Sequence, residues 1–287
     1  MPALRAALHR LVREEMASRP LGTVRAAVGA AALLKLADAA PLLTSLAQPG
    51  AFRMPRFAAL PMPSPEAMLG LLGLWLAAAA GLLLGWRTRL SGAVLTAVLG
   101  LVLALDQQLY ASHLYLLFLL VLLLTVADSG AALSLDARRN GGRPRVPAWP
   151  ALLMKLELTI VYAFSAVAKL NPAYLSGAVL AGVLREPGLV PLPASWQTPG
   201  RLAALAWTSI LFELILAAGL WSRRWRLPVA CAGVAFHAFI VLALHPRSDL
   251  VIFAIESLAV YRLFFADLSP ASPPLRDVIP RKPVESL

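Results

Sequence analysis

Lys169 stands at the end of a long apolar run, just before residues that stop one helix and begin another. The sequence from Tyr162 to Gly177 reads YAFSAVAKLNPAYLSG. An ammonium is costly in hydrocarbon, so this side chain either extends to the membrane surface or is held by partners for a chemical purpose. Because burial penalises the charged form, a buried lysine can act as a base near neutral pH. The two interpretations, a surface anchor and a catalytic base, separate a structural protein from an enzyme.

Two histidines are candidates to assist such a base, since imidazole can donate a proton or hydrogen bond to a developing anion. His237 lies deep in an apolar segment, where an ionisable group indicates function. A neutral ring bonded to a backbone carbonyl would also fit that position. His113 opens an apolar segment as His-Leu-Tyr, a pattern that is also typical of an interfacial aromatic belt. Tyr162 is seven residues before Lys169 and shares its helix face.

Other charged residues are also embedded in apolar segments. Lys35 and Asp38 have i,i+3 spacing, which predicts charge compensation within one helix, and Glu213 is a candidate for the same role. Glu157 and Glu256 complete the set. The sequence has one cysteine and no HExxH, GxGxxG, phosphate loop or nucleophile elbow, so it predicts no metal site and none of the reactions that those motifs support.

The composition places these residues in a membrane. The 287-residue chain is 59% hydrophobic and 14% charged, with a mean hydropathy of +0.73, whereas soluble domains are about 25% charged. We therefore predict an all-α integral membrane protein with about eight transmembrane helices and a short re-entrant or interfacial helix, Tyr174–Leu184. The predicted spans are Leu21–Leu46, Ala67–Trp86, Leu90–Gln107, His113–Leu133, Trp149–Ala168, Leu202–Trp221, Leu227–Leu244 and Leu250–Phe265.

The basic residues predict the orientation of these spans. With the N-terminus inside, 18 of the 26 lysines and arginines fall on inner segments, five on outer segments and three within or at the ends of spans. This asymmetry follows the positive-inside rule. The net charge of +11 therefore indicates topology and a bilayer partner, not a nucleic acid. We predict a cytoplasmic segment 1–20, a membrane domain 21–266 and a disordered cytoplasmic tail 267–287, in the cell inner membrane with both termini cytoplasmic.

Several short motifs in a fixed order resemble the HTTM domain, the membrane domain shared with vitamin K-dependent gamma-carboxylase. They are Ser112–Leu116 (SHLYL), Ser134–Ala137 (SLDA) and the stretch from Val161 through Lys169-Leu170-Asn171 to Gly177. Phe212-Glu213, the basic turn Arg223–Arg226 and Phe236-His237 continue the resemblance, which covers most of residues 21–265.

The resemblance implies a quinol-dependent chemistry. Lys169 aligns with the lysine that acts as the base on vitamin K hydroquinone, after which oxygen attacks and carbon dioxide traps a glutamate carbanion. His113 aligns with a histidine of the carboxylation half-reaction, and His237 with a further family histidine. The implied cofactor is a reduced quinone resembling vitamin K or menaquinol. Tyr162, Tyr174 and Trp207 are candidates to stack on its ring, with packing or interfacial roles as the alternative.

These observations favour a quinol-dependent oxygenase or carboxylase-like membrane enzyme, in which Lys169 is the base, His113 an acid or anion stabiliser, and His237 a polar group of the pocket. The sequence ends shortly after the eighth predicted span, so we do not expect processive carboxylation of a protein substrate. One alternative is a non-catalytic membrane protein for maturation or export of a secreted peptide. Another is a transporter, whose acidic residues would line a continuous polar path.

Overall fold

The structure, a computed structural model, describes residues 13–186, 188–244, 248–266 and 268–270, and most of these are helical. The helices in chain order are α1 (Ser18–Ala47), α2 (Pro65–Leu84), α3 (Thr88–Leu105), α4 (Ser112–Val126), α5 (Leu135–Asn140), α6 (Trp149–Ala168), α7 (Pro172–Leu175), α8 (Ala178–Val183), α9 (Pro199–Gly219), α10 (Arg226–Ala243) and α11 (Ser248–Phe264). Two 3₁₀ turns span Gln107–Leu109 and Ala194–Trp196.

Six of the described helices, α1, α2, α3, α6, α9 and α10, are long and apolar enough to cross a membrane. The prediction of an all-α membrane protein is thereby confirmed. The fourth and eighth predicted spans correspond to α4, with 15 residues, and α11, with 17, which are shorter than the roughly 20 residues of a typical span. The number of eight spans stays a prediction.

A small antiparallel sheet joins distant parts of the chain beside the first residues of α1 and α6. Its strands are β1 (Glu14–Ala17), β2 (Arg145–Pro147) and β3 (Leu268–Pro270), in the order β2-β1-β3. Met16 pairs with Val146 on one side and with Leu268 on the other. Of the predicted segment 1–20, residues 1–12 lie outside the described residues, as do residue 267 and residues 271–287 of the predicted tail.

The long helices pack as two groups that meet at α11 and where α4 contacts α6. Helices α1 to α4 pack in sequence, α6 packs on α9, and α11 contacts α1, α4, α6 and α10. The indole of Trp75 on α2 is fully buried and donates to the carbonyl of Ala32 on α1 at 3.0 Å. Because α11 touches both groups, its polar residues lie where side chains from four other helices can meet them.

Arg25 on α1 fastens one end of the bundle. Its guanidinium is fully buried and donates to the carbonyl oxygens of Leu82, of Leu83 at 2.8 Å, of Leu133 at 2.5 Å and of Ser129 at 3.2 Å. The first two carbonyls belong to the last turn of α2, where a cation also complements the helix dipole. One side chain thus joins α1, α2 and the turns that follow α4.

Those turns correct the predicted fourth span, His113–Leu133, because α4 ends at Val126. The residues after it form turns. In these turns the carboxylate of Asp128 forms ion pairs with the guanidinium groups of Arg89, at 2.6 Å, and Arg143, at 2.9 Å. Because a charged carboxylate and its two arginine partners are rarely buried in an apolar interior, the chain leaves the helix at the end of the bundle.

The predicted single helix Tyr174–Leu184 is also corrected, since this segment folds as the separate helices α7 and α8. Asn171 begins α7 by accepting the backbone N–H of Tyr174 at 3.0 Å. Gly177 then separates the two helices in the left-handed conformation, with φ of +80°. A left-handed residue cannot continue an α-helix. The helix therefore breaks at Gly177, where the prediction continued it.

The segment after α6 continues along α9 in the same direction as α6. Moving back from the end of α9 towards its start, Glu213 contacts Lys169, Ser209 contacts Tyr174, and Leu202 lies against Gly177. Glu213 is 14 residues after the first residue of α9, which is about 21 Å along the axis. Lys169 therefore lies at a break in a discontinuous helix, beside the interior of α9 and not level with its end.

Replacing Gly177 with alanine is expected to lower the melting temperature, with a loss of at least about 2 kcal/mol in unfolding free energy. A Cβ at this position would lie 2.6 Å from the backbone nitrogen of Ala203 and would also strain the positive φ. Gly182→Ala on α8 is the matched control, because a Cβ there has nothing within 4 Å and alanine favours the helix. Equal melting temperatures for the two variants would contradict this account of the break.

Candidate functional site

The site at the break consists of an ion pair and a hydroxyl. The ammonium of Lys169 donates to Oε1 of Glu213 and, at 3.1 Å, to Oγ of Ser165 one helical turn earlier. The Ser165 hydroxyl donates to the same carboxylate oxygen at 2.9 Å. The Lys169 side chain is 24% exposed and that of Glu213 is 7% exposed. The amine is therefore held by partners at a half-buried position of the bundle.

An aromatic ring and an unused acceptor border this ion pair. Nζ of Lys169 lies 5.7 Å from the centroid of the Tyr174 ring, within the range of a cation–π contact. The Tyr174 hydroxyl is held by Ser209 at 2.8 Å. In the part of the chain that the structure describes, Oε2 of Glu213 is buried and has no hydrogen-bond partner. A buried acceptor without a donor is costly, so this oxygen is suited to a donor from a ligand.

A second polar cluster lies deeper along α6. The hydroxyl of Tyr162 lies 2.9 Å from Nε2 of His237 on α10 and 2.7 Å from the hydroxyl of Tyr261 on α11. Phe253 covers this network, with its ring centroid 6.3 Å from that of Tyr162 and 5.4 Å from that of His237. Tyr162 is two turns, or about 10 Å, from Lys169 along the helix axis. The network ties α6, α10 and α11 together in the core.

A third cluster contains His113. Its Nε2 lies 2.9 Å from Oδ1 of Asp249 on α11, an ion-pair distance whose angle does not satisfy hydrogen-bond geometry. Nζ of Lys35 on α1 lies 3.3 Å from the same oxygen of Asp249. It also lies 2.5 Å from Oδ2 of Asp38. The predicted Lys35–Asp38 pair is thus confirmed. Asp249 is one turn before Phe253 on α11, so this cluster adjoins the tyrosine–histidine network.

The three predicted catalytic residues therefore occupy three neighbouring clusters and do not bond to one another. Lys169 and Tyr162 are linked through α6, and His113 and His237 are linked through α11. Of the predicted ring-binding residues, Tyr174 lies beside Lys169 and Tyr162 lies in the deeper network. Trp207 is 55% exposed, on a different face of α9 from buried Glu213.

Sequence reasoning missed three partners: Glu213 of Lys169, Asp249 of His113 and Tyr261 of Tyr162. Glu213 carried a signal, since a glutamate within the apolar run LFELIL requires a cation or a proton. The choice of Lys169 as that cation depends on the pairing of α6 with α9. Tyr261 and Asp249 lie near helix ends, where polar residues are common.

Glu256 on α11 is the most deeply placed carboxyl. It is fully buried, and among the described residues neither of its oxygens has a hydrogen-bond partner. Lys35 attracts its negative charge and Glu157 repels it. An ionised carboxylate without partners is costly in such a place. The described residues contain no group of three or more histidine, cysteine, aspartate or glutamate side chains arranged to hold a metal ion.

A helical membrane protein with polar clusters buried between its helices is the class that this fold and site define. The family model of the HTTM domain matches residues 14–267, and the chain belongs to this family. The HTTM domain is found in vitamin K-dependent carboxylase-like proteins. Comparison with curated proteins and with solved structures found no match.

Proposed function

We propose that this protein is a membrane enzyme that takes a proton from a reduced quinone, with Lys169 as the base, in oxygenation or carboxylation chemistry. The observation that carries the proposal is the ion pair between Lys169 and Glu213 at the break between α6 and α7. Family membership supports it, because the HTTM domain is found in vitamin K-dependent carboxylase-like proteins.

The residues at the break fit a reduced quinone, which is a flat apolar ring with hydroxyl groups. The free Oε2 of Glu213 can accept a hydrogen bond from a hydroxyl, and the Tyr174 ring offers an aromatic surface. Trp207 and Tyr162 remain proposed ring contacts on the two sides of this position. When bound, the quinol supplies the hydroxyl proton and the reducing equivalents for reaction with oxygen.

Glu213 gives Lys169 a way to act as a base. An ammonium bonded to a carboxylate can pass its proton across the hydrogen bond from Nζ to Oε1, which leaves both groups neutral. The neutral amine can then accept the proton of a ligand hydroxyl.

The two histidines are proposed to act further along the same ligand. His113, with Asp249 beside it, is the proposed acid or anion stabiliser, and His237 is the proposed polar group of the pocket. Neither contacts Lys169, so this assignment requires a ligand that extends from the α6–α9 side towards α11. A quinone with an isoprenoid tail would reach the site from the bilayer of the cell inner membrane, the proposed location.

Purified protein in proteoliposomes is expected to consume reduced menaquinone and oxygen together at a rate proportional to the amount of protein. The loss of quinol absorbance and the uptake of oxygen would be recorded in parallel, with protein-free liposomes as the control. Addition of labelled carbon dioxide and a glutamate-containing peptide would test carboxylation. Quinol loss that does not exceed the protein-free rate would overturn the proposal.

A transporter is the second candidate, and the discontinuous helix favours it. Transporters often build substrate and ion sites where a helix is interrupted inside the membrane, and Glu213 contacts Lys169 at the break between α6 and α7. This candidate is expected to show ion-coupled uptake of a solute into proteoliposomes without consumption of quinol. The two measurements on one preparation therefore separate the candidates.

A further inference from the structure

We propose that a pocket between α6, α9, α10 and α11 binds a phosphate group. It has a volume of about 450 Å³ and lies where α6 and α10 begin and where α9 and α11 end. We call it the Lys155 pocket, and its lining includes Glu14, Trp149, Lys155, Trp221, Arg223 and Arg226. None of these residues belongs to the three clusters around Lys169, His237 and His113.

Positive charges converge in the Lys155 pocket without enough negative charge to offset them. Lys155 is half-buried, and its Nζ lies 5.5 Å from the Trp221 ring centroid and 5.6 Å from that of Phe264. Arg226 repels Lys155, and Glu14 attracts it. Within residues 13–186, 188–244 and 248–266, neither Lys155 nor Arg226 has a carboxylate at ion-pair distance.

The guanidinium of Arg226 is oriented but not neutralised. It donates to the backbone carbonyl of Phe264 at 2.7 Å, which fixes one edge of the group and leaves further donors. Arg223, on the turn between α9 and α10, is exposed. Two guanidinium groups and one ammonium facing a single cavity form a donor set that suits the oxygens of a phosphate group.

A larger cavity at the same end of the bundle shows the opposite arrangement. It has a volume of about 790 Å³ and is also lined by arginines, among them Arg89 and Arg143. Asp128 pairs with both of these. Asp136 accepts from the backbone N–H of Arg87 and, although partial burial raises its pKa, such hydrogen bonds lower that pKa overall. This cavity supplies an ion-pair partner for its arginines, whereas the lining of the Lys155 pocket has one carboxylate, Glu14, for three basic side chains.

The phosphate has two possible sources, a lipid headgroup and a soluble phosphate ester. The pocket lies at span ends that carry the exposed indoles of Trp221 and Trp225, and tryptophan marks the headgroup level of a bilayer. Anionic headgroups are attracted to basic residues at this level. Both sources use the same donors, so the experiment must separate them.

Native mass spectrometry of the full-length protein with phosphatidylglycerol or phosphatidylcholine tests the lipid source. Titration calorimetry with glycerol 3-phosphate tests the soluble source. We expect wild-type protein to bind phosphatidylglycerol or glycerol 3-phosphate, both of which are net anionic, in preference to phosphatidylcholine, whose choline offsets the phosphate charge. Lys155→Gln and Arg223→Gln should each weaken that binding about tenfold, which corresponds to the loss of one charge-assisted hydrogen bond.

Arg139→Gln on α5 is the matched control, because this arginine is exposed at the same end of the bundle but does not line the pocket, and it should leave binding unchanged. Arg223 makes no ion pair with a described carboxylate, so Arg223→Gln tests the pocket even if Lys155→Gln unfolds, which melting curves would show. Lipid binding lost in the variants assigns a headgroup site, and loss of glycerol 3-phosphate binding assigns a soluble ligand. Binding of both ligands that is unchanged in Lys155→Gln and Arg223→Gln, or absent from wild type, would overturn the proposal.

Discussion

Replacing Lys169 with alanine is expected to reduce quinol turnover by about 10²- to 10⁴-fold, the range typical of a lost general base. The amine is the proposed proton acceptor, and Ser165 and Glu213, which surround it, cannot replace it at the same point. The measurement is the initial rate of quinol loss in proteoliposomes, normalised to folded protein from size-exclusion profiles.

Lys169→Arg is the matched control for this prediction. An arginine keeps the positive charge beside Glu213 but does not release its proton in a protein. It should therefore preserve the melting temperature and still abolish turnover. Wild-type turnover in Lys169→Arg would show that the residue only balances charge. Biological function that survives Lys169→Ala would favour the non-catalytic protein for peptide maturation or export.

Replacing Glu213 with leucine is expected to destabilise the protein by about 3–5 kcal/mol, because it leaves the partly buried ammonium of Lys169 without a counter-charge. The double variant Lys169→Met/Glu213→Leu removes both charges and should recover most of that loss, since apolar pairs of similar volume often replace buried ion pairs without cost. Thermal unfolding in lipid nanodiscs, followed by tryptophan fluorescence, would measure both.

The double variant also separates stability from chemistry. It is expected to be folded and inactive. If Lys169 and Glu213 served only to hold the helices together, the double variant would regain activity together with stability. A Glu213→Leu single variant as stable as the double variant would contradict the ion pair between α6 and α9.

Most helices could be predicted because their apolar runs end at residues with strong local preferences. Pro65 begins α2, capped by Ser64, and Gly85 ends it in the left-handed conformation. The predicted span Trp149–Ala168 agrees with α6 at both ends. The predicted end of α4 was wrong because the span was continued through Asp128 to the apolar residues Ala131–Leu133. The arginines that pair with Asp128 and hold the turn come from distant parts of the sequence.

The site could be predicted only in part. An embedded lysine before Asn171-Pro172 indicates a held amine at a helix end, and that expectation rests on local sequence. The depth of the amine could not be predicted from local sequence. The break lies beside the interior of α9 because of how α6 packs along α9, and these two helices are distant in sequence. The same is true of Tyr162, whose helix face was predicted correctly but whose partners, His237 and Tyr261, come from α10 and α11.

Photolabelling tests most directly whether a quinol binds at the break between α6 and α7. An azido-naphthoquinone would be irradiated with the protein in nanodiscs, and the labelled peptides would be mapped by mass spectrometry with and without excess menaquinone. We expect adducts on residues 162–177 and on α9 near Glu213, and we expect menaquinone to remove them. Adducts confined to other helices, or labelling of this segment that menaquinone does not reduce, would contradict the account.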